Sequence, residues 1–192
     1  HEPYRRQRQM CIRDSVYRLS YVGVPCIRLG YADMNFLLAE AVERGWITGS
    51  AKQYYEEGIR ASFLFVRTTV PAEYNNGVEI TDDYITSYLK GEYVAYNTNG
   101  SVTDRLKQIW MQAFLARYFH MATDDYYEYR RNGYPEFPIN PETNLNNAKD
   151  KIPMRYMYPE SETNYNKESL YKALDRQWGG VDDVNSIMWL LK

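Results

Sequence analysis

Apolar side chains recur at every third or fourth position over residues 30–44, which predicts an amphipathic helix. Gly45 follows at the position where a glycine in the left-handed conformation commonly ends a helix. A second stripe covers residues 50–67 and opens with Ser50 in a Ser-x-x-Gln capping box. Because the link between the stripes is short, we expect two antiparallel neighbours. Gly58 is small enough to allow their close approach.

The same reasoning continues along the chain. Thr81 or Asp82 can cap a short third helix that ends near Leu89. Residues 91–102 are polar and rich in Gly and Asn, which is typical of a loop. Residues 104–131 predict one long helix that ends at Asn132-Gly133, and a break near Thr123-Asp124 stays open.

The last third of the chain has a different pattern. Five prolines and many asparagines punctuate residues 134–166, and such a segment is not expected to form regular helix. Residues 152–158 could be extended, and a final helix is predicted over 167–177. The predicted fold class is therefore all-α, with tetratricopeptide-like antiparallel helix pairs and long irregular loops, although one pair does not establish a repeat.

Composition narrows the function classes. The formal net charge of −2 argues against a general nucleic-acid binder, which needs a basic face. No apolar run approaches the roughly 20 residues of a membrane helix, and two cysteines cannot build a disulfide framework. The chain is unusually rich in tyrosine, with 20 tyrosines in 192 residues. Tyrosine suits recognition surfaces that are half apolar and half wet.

The first 15 residues stand apart from the rest. The chain begins with His1, and residues 1–15 are rich in arginine and poor in apolar side chains. They lack the apolar stretch of a secretory signal. We interpret residues 1–15 as a non-native or disordered arm, and residues 16–192 as the folded part.

Several charged residues invite a functional interpretation but have a simpler structural one. Arg130 and Arg131 suit the end of a helix, where they can bind the last carbonyls or a carboxylate. Arg155 is expected to fix its loop by pairing with Glu160 or Glu162.

Catalytic and metal chemistry find little support in the sequence. Asp124, Asp125 and Glu128 could be glycosidase carboxylates, but adjacent aspartates on a helix point in different directions. His120 and Asp124 could share a helix face toward a metal, yet no further ligand is near in sequence. We therefore predict neither a catalytic residue nor a metal or other cofactor.

Aromatic loops are the better candidates. Sugar rings have apolar faces, on which aromatic rings stack, and hydroxyl rims, which polar side chains bind. The loop of residues 92–99 mixes both kinds of side chain, and Tyr93, Tyr96 and Asn97 are the predicted ligand-binding residues. Residues 156–166 show the same mixture. The alternative for any single tyrosine is that it packs beneath a loop.

Four motifs, taken in order, resemble the C-terminal half of the SusD/RagB-like family. They are YADMNFLLAEAVERGWITGSAKQYYEEGIRASF at 31–63, EYRRNGYPEF at 128–137, IPMRYMYPESETNYN at 152–166 and the closing GGVDDVNSIMW. The family consists of surface lipoproteins that bind nutrients at the outer membrane of Gram-negative bacteria. The resemblance implies that residues 16–192 are the C-terminal part of a single SusD-like domain.

The resemblance also implies a function and a location. It predicts binding of a glycan or other nutrient at the cell surface and delivery to a TonB-dependent, SusC-like outer-membrane transporter, without catalysis. The lipid anchor would lie outside this chain. Two alternatives stay open: a tetratricopeptide-like adaptor that binds peptides, which needs further helix pairs, and a glycoside hydrolase, which needs two converging carboxylates.

Overall fold

The computed structural model describes residues 25, 27–71, 77–118, 120 and 122–191. Its secondary structure over these residues is entirely helical, which confirms the predicted fold class. The chain divides into two compact units, the first ending at Tyr126 and the second beginning at Tyr127. The predicted arm at residues 1–15 lies outside the described residues. None of the described helices combines the length and apolarity needed to cross a bilayer.

The predicted helix pair forms the centre of the first unit. Helix α1 is Tyr31–Glu43 and helix α2 is Ala51–Thr69. Gly45 ends the first with φ +72°, in the left-handed region where a side chain would be strained. Ser50 Oγ accepts a hydrogen bond of 3.3 Å from the backbone N–H of Gln53 and so caps the second helix.

Two further helices complete the core of this unit. Helix α3 is Asp82–Leu89, capped by Thr81, and helix α4 is Val102–Arg117, which begins with a Ser101–Asp104 capping box. The buried apolar side chains of the four helices form one cluster, namely Phe36, Ala39, Tyr55, Ile59, Ile85, Leu89, Ile109 and Ala113. The loop of residues 91–100 joins α3 to α4 across this cluster.

The prediction of one continuous helix over 104–131 is wrong, because the segment forms two helices. Helix α4 ends at Arg117, and helix α5 is Ala122–Asn132. The break begins at Tyr118, whose ψ of 125° lies outside the helical region. In an uninterrupted helix, Arg117 and Asp125 would be about 12 Å apart along the axis. The break instead allows Arg117 Nε to donate a hydrogen bond of 3.1 Å to Asp125.

The second unit has little regular structure before its last helix. Helix α6, Glu160–Tyr165, corrects the prediction that 134–166 contains no helix, since Pro159 lies just before the first turn, where a missing N–H costs nothing. Helix α7 is Lys167–Trp178, followed by a 3-10 turn at Trp189–Leu191. Residues 152–158 form no strand, although the N–H groups of Met154 and Arg155 both donate to the carbonyl of Val184.

Candidate functional site

The loop that carries the three predicted ligand-binding residues is held from below by a tyrosine pair. The ring of Tyr96 lies against Tyr55, with ring centroids 5.3 Å apart. The Tyr55 hydroxyl donates to the backbone carbonyl of Val94 at 2.7 Å. Tyr55 is fully buried in the core, so this bond ties the loop to helix α2. Tyr96 is therefore an inward-facing ring of the loop.

The hydroxyl of Tyr96 meets a buried charge pair. It donates to the carboxylate of Glu43, the last residue of α1. The other carboxylate oxygen of Glu43 accepts a hydrogen bond of 2.7 Å from Arg105 Nε, and Arg105 also donates to the carbonyl of Gly100. Burial and the bond to Glu43 both raise the pKa of Tyr96, so its hydroxyl stays protonated and remains a donor at neutral pH.

A glutamine fixes the second half of the loop. Gln108 on α4 accepts a hydrogen bond of 2.9 Å from the backbone N–H of Asn97 and donates one of 3.1 Å to the carbonyl of Ala95. The loop backbone is thus held at Val94, Ala95, Asn97 and Gly100. Long loops with such anchors present their remaining side chains in a defined position.

Tyr93 and Asn97 are the two predicted residues that this arrangement presents to solvent. The side chain of Tyr93 is 85% exposed, and Asn97 is also exposed. A ring with both faces in water can stack on the apolar face of a sugar, and a neighbouring amide can both donate to and accept from its hydroxyl groups. Of the three predicted ligand-binding residues, Tyr93 and Asn97 therefore face outward, and Tyr96 anchors the loop.

A second aromatic surface lies in the second unit. A groove of about 890 Å³ is lined by rings from four separate segments: Tyr127, Tyr156, Tyr158, Trp178 and Trp189. Two of these rings are well exposed, Tyr156 at 64% and Trp189 at 77%. We call this surface the aromatic groove.

Arg155 organises one wall of the aromatic groove. It is buried and pairs with Asp182, so the predicted pairing with Glu160 or Glu162 is wrong. Its guanidinium lies 4.1 Å from the ring centroid of Trp178. Asp182 also accepts a hydrogen bond of 2.9 Å from the backbone N–H of Tyr158. The chain beyond α7 brings Asp182 back to Arg155. Because the two residues are far apart in sequence, no local spacing indicates this pairing.

Sequence reasoning found part of this groove. The mixture of aromatic and polar side chains in residues 156–166 indicates a second candidate surface, and Tyr156 and Tyr158 of this segment line the groove. Tyr165, by contrast, is 91% exposed and is not part of its lining. Trp178 and Trp189 were missed as site residues, because only the fold brings them beside residues 156–158.

The three candidate catalytic carboxylates do not lie together in one unit: Asp124 and Asp125 belong to the first unit, whereas Glu128 belongs to the second and pairs with Arg131. Asp125 pairs with Arg117, and the same guanidinium is 3.9 Å from Asp33. Burial raises the pKa of Asp125 to about 6, against the opposing effect of Arg117. The ion pair with Arg117 therefore explains why Asp125 lies where it does.

Comparison with known proteins identifies relatives of the chain. A family model named SusD-like and described as starch-binding and associating with the outer membrane matches residues 4–159. A SusD homologue of known structure from Bacteroides fragilis is 47% identical, with a TM-score of 0.81, and the match covers 88% of this chain and 36% of that one. No protein among those with curated descriptions matches the chain.

Two more distant structures extend the comparison. An outer-membrane protein from Bacteroides vulgatus, described in connection with nutrient binding, is 34% identical, with a TM-score of 0.76, over 90% of this chain and 36% of that one. A chitin-binding protein is 26% identical, with a TM-score of 0.65, over 83% of this chain and 32% of that one. The chain thus spans about a third of the length of these structures.

Proposed function

Since the chain belongs to the SusD-like family of starch-binding proteins associated with the outer membrane, we propose that it takes part in capturing a glycan or similar nutrient at the bacterial surface. The captured ligand passes to a TonB-dependent, SusC-like transporter, and the protein carries out no chemistry on it. A lipid anchor holds the whole protein at the membrane. Family membership and the chitin-binding relative support the choice of a glycan.

One observation supports the loop of residues 91–100 as the place of contact. Tyr93 presents an exposed ring on a loop that is already fixed: Tyr55 and Gln108 bond its backbone, and Glu43 bonds the Tyr96 hydroxyl. A surface that is ordered before binding loses less conformational entropy when the ligand arrives. Tyr93 and Asn97 contact the sugar, and Tyr96 holds the loop in position for them.

Binding without turnover is consistent with the polar groups around this loop. The carboxylate of Glu43, which contacts the loop anchors, is occupied by Tyr96 and Arg105. Affinity then comes from stacking on Tyr93 and from hydrogen bonds to hydroxyl groups. An aromatic–sugar contact of this kind is expected to contribute about 0.5–1.5 kcal/mol, by analogy with other ring stacking.

The test is a calorimetric titration of this chain with a panel of starch and chitin oligosaccharides. Wild type is compared with Tyr93→Ala, and the control is Tyr165→Ala, which removes an equally exposed ring from the second unit. Tyr93→Ala is expected to weaken binding by about tenfold and the control to leave it unchanged. Equal affinity of wild type and Tyr93→Ala would contradict the assignment of the loop, and loss through the control alone would place the site elsewhere.

Two further comparisons test the absence of catalysis and the role of Tyr96. Asp125→Ala is expected to bind glycan as wild type does, and wild type is expected to release no reducing ends during prolonged incubation. Tyr96→Ala is expected to weaken binding through loss of the loop anchor. Turnover of any oligosaccharide by wild type that Asp125→Ala abolishes would favour a glycoside hydrolase.

Delivery to a transporter is tested with the complete protein in its native membrane. A tagged form is expected to co-purify with a TonB-dependent outer-membrane transporter after mild detergent extraction. Recovery of the protein alone, under conditions where transporters of this class remain intact, would contradict the partnership.

A further inference from the structure

The turn that follows α1 carries an exposed tryptophan. The side chain of Trp46 is 69% exposed, whereas tryptophan is highly buried on average in folded proteins. Its backbone N–H donates a hydrogen bond of 2.9 Å to the carbonyl of Ala41, so the chain turns back onto the end of the helix. The main chain therefore fixes the position from which this ring projects.

Arg44 supports the exposed ring from within the protein. Its guanidinium carbon lies 5.2 Å from the ring centroid of Trp46 and 5.8 Å from that of Trp110 on α4. Arg44 Nε donates a hydrogen bond of 2.7 Å to one carboxylate oxygen of Glu40, and Trp110 Nε1 donates one of 3.0 Å to the other. Glu40 is buried. This buried carboxylate thus holds the arginine on which the Trp46 ring rests.

Arg44 retains hydrogen-bond donors for a ligand. Its side chain is 30% exposed, and its bond from Nε to Glu40 is the one hydrogen bond that it makes with the described residues. The two terminal NH₂ groups therefore have donors available beside the exposed ring. Because Glu40 balances the charge of the guanidinium, these donors suit the hydroxyl groups of a neutral ligand.

The same end of α1 reaches the loop of the proposed sugar contact. Glu43, in the last turn of α1, accepts the hydrogen bond from the Tyr96 hydroxyl. Trp46 lies three residues after Glu43, and Tyr93 lies three residues before Tyr96. A stretch of three residues reaches at most about 11 Å. The two exposed rings are therefore each a short stretch of chain away from one hydrogen bond.

We propose that Trp46 and Arg44 form a second sugar subsite, beside that of Tyr93, and that a single neutral oligosaccharide occupies both. The Trp46 ring stacks on the apolar face of one sugar unit, and the terminal NH₂ groups of Arg44 donate to its hydroxyl oxygens. Once one unit is bound at Tyr93, the contact at Trp46 is intramolecular, so a longer oligosaccharide gains affinity from both rings. This inference rests on the proposed glycan binding and specifies the length of the ligand.

The test is calorimetric titration with disaccharides and hexasaccharides of the starch and chitin series, namely maltose, maltohexaose, chitobiose and chitohexaose. Wild type is expected to bind a hexasaccharide at least about tenfold more tightly than the matching disaccharide. Trp46→Ala is expected to weaken hexasaccharide binding by about two- to tenfold, and disaccharide binding by less, because a disaccharide can still bind at Tyr93.

Two further variants serve as controls. Trp189→Ala makes the same change at a ring of the second unit that is 77% exposed, and is expected to leave both affinities unchanged. Trp46→Phe keeps an aromatic face and is expected to restore part of the affinity that Trp46→Ala loses. Circular dichroism checks that the variants keep the helical content of wild type.

The outcomes separate this subsite from the contact at Tyr93. An equal preference for the hexasaccharide in wild type and Trp46→Ala would overturn the subsite, and loss through Trp189→Ala alone would assign the ring contact to the aromatic groove. Loss through Trp46→Ala but not through Tyr93→Ala would contradict the loop contact and leave the Trp46 subsite standing. Absence of binding by wild type to any of these oligosaccharides would overturn both.

Discussion

The contact between Phe36 and Gly58 gives the sharpest prediction about the helix pair. A Cβ atom added to Gly58 would lie 2.8 Å from one carbon of the Phe36 ring and 3.0 Å from two others. Atoms of this kind do not approach so closely, and Phe36 is buried with 3% exposure, so its ring cannot swing into solvent. Gly58→Ala should therefore push the ring or separate α1 from α2.

Two opposing effects decide the size of the change. Alanine favours a helix over glycine by about 1 kcal/mol, which stabilises the variant. Forcing an extra carbon into a packed core costs about 1–3 kcal/mol. We expect the second effect to dominate, with a net loss of about 1 kcal/mol in the free energy of unfolding. Denaturation in urea, followed by helical circular dichroism, measures this difference.

A second background isolates the ring contact. In Phe36→Leu the ring is absent, so Gly58→Ala should keep its helix-propensity gain and lose its steric penalty. The same substitution is then expected to stabilise the Phe36→Leu chain by up to about 1 kcal/mol, and a double-mutant cycle gives the coupling. If Gly58→Ala stabilises both backgrounds equally, the close approach of Phe36 is not the reason for glycine at this position.

Three further substitutions test the ion pairs and anchors. Tyr96→Phe keeps the ring but removes the hydroxyl from Glu43, and should lower stability by about 1–2 kcal/mol and speed hydrogen exchange over residues 91–100, measured by mass spectrometry; unchanged exchange would contradict the anchor. Burial raises the pKa of Asp125 from 3.8 to about 6, so the folded chain retains a proton that the unfolded chain has released, and stability should fall as the pH rises from about 4 to 6. Urea midpoints across that range should show a shallower fall for Asp125→Asn, and identical slopes would refute the shift. Arg155→Lys removes the planar guanidinium, whose Nη1 donates to Asp182 and to the carbonyl of Asp183 and whose flat face meets Trp178. It should destabilise the second unit by about 2 kcal/mol or more, seen as a lower midpoint of tryptophan fluorescence unfolding; an unaltered midpoint would refute the role of Arg155.

The helix pair was predictable because its determinants are local. The Ser50 cap and the Gly45 terminator each act within a few residues, and the structure confirms both of them and the two helices that they delimit. The side of α1 that is buried is not the stripe that begins with Tyr31 and Met34, which are exposed, but the side that carries Phe36 and Ala39. The short helix capped by Thr81 follows the same logic. Where neighbours along the chain decide the outcome, periodicity and capping are sufficient.

The misses share a different cause, which is pairing between distant segments. The end of α4 at Arg117 serves ion pairs with Asp33 and Asp125, and helical periodicity does not report such pairs. Arg155 pairs with Asp182, which is 27 positions away, and not with the glutamates close to it in sequence. The inward position of Tyr96 likewise depends on the distant residues Tyr55 and Glu43, so composition could not reveal it. The exposed position of Tyr93 agrees with its place in a polar loop.

The anchoring of Tyr96 and Arg105 by Glu43 has a consequence for how this loop can be exchanged between relatives. Its two bonds span 53 and 62 positions of sequence, so a recombination that moves residues 91–100 alone separates the loop from its acceptor. The transplantable module is the loop together with the four side chains that hold it, namely those of Glu43, Tyr55, Arg105 and Gln108. Tyr93 and Asn97, the proposed sugar contacts, project from this frame, so we expect point substitutions there to alter the proposed ligand preference while the supporting frame is kept.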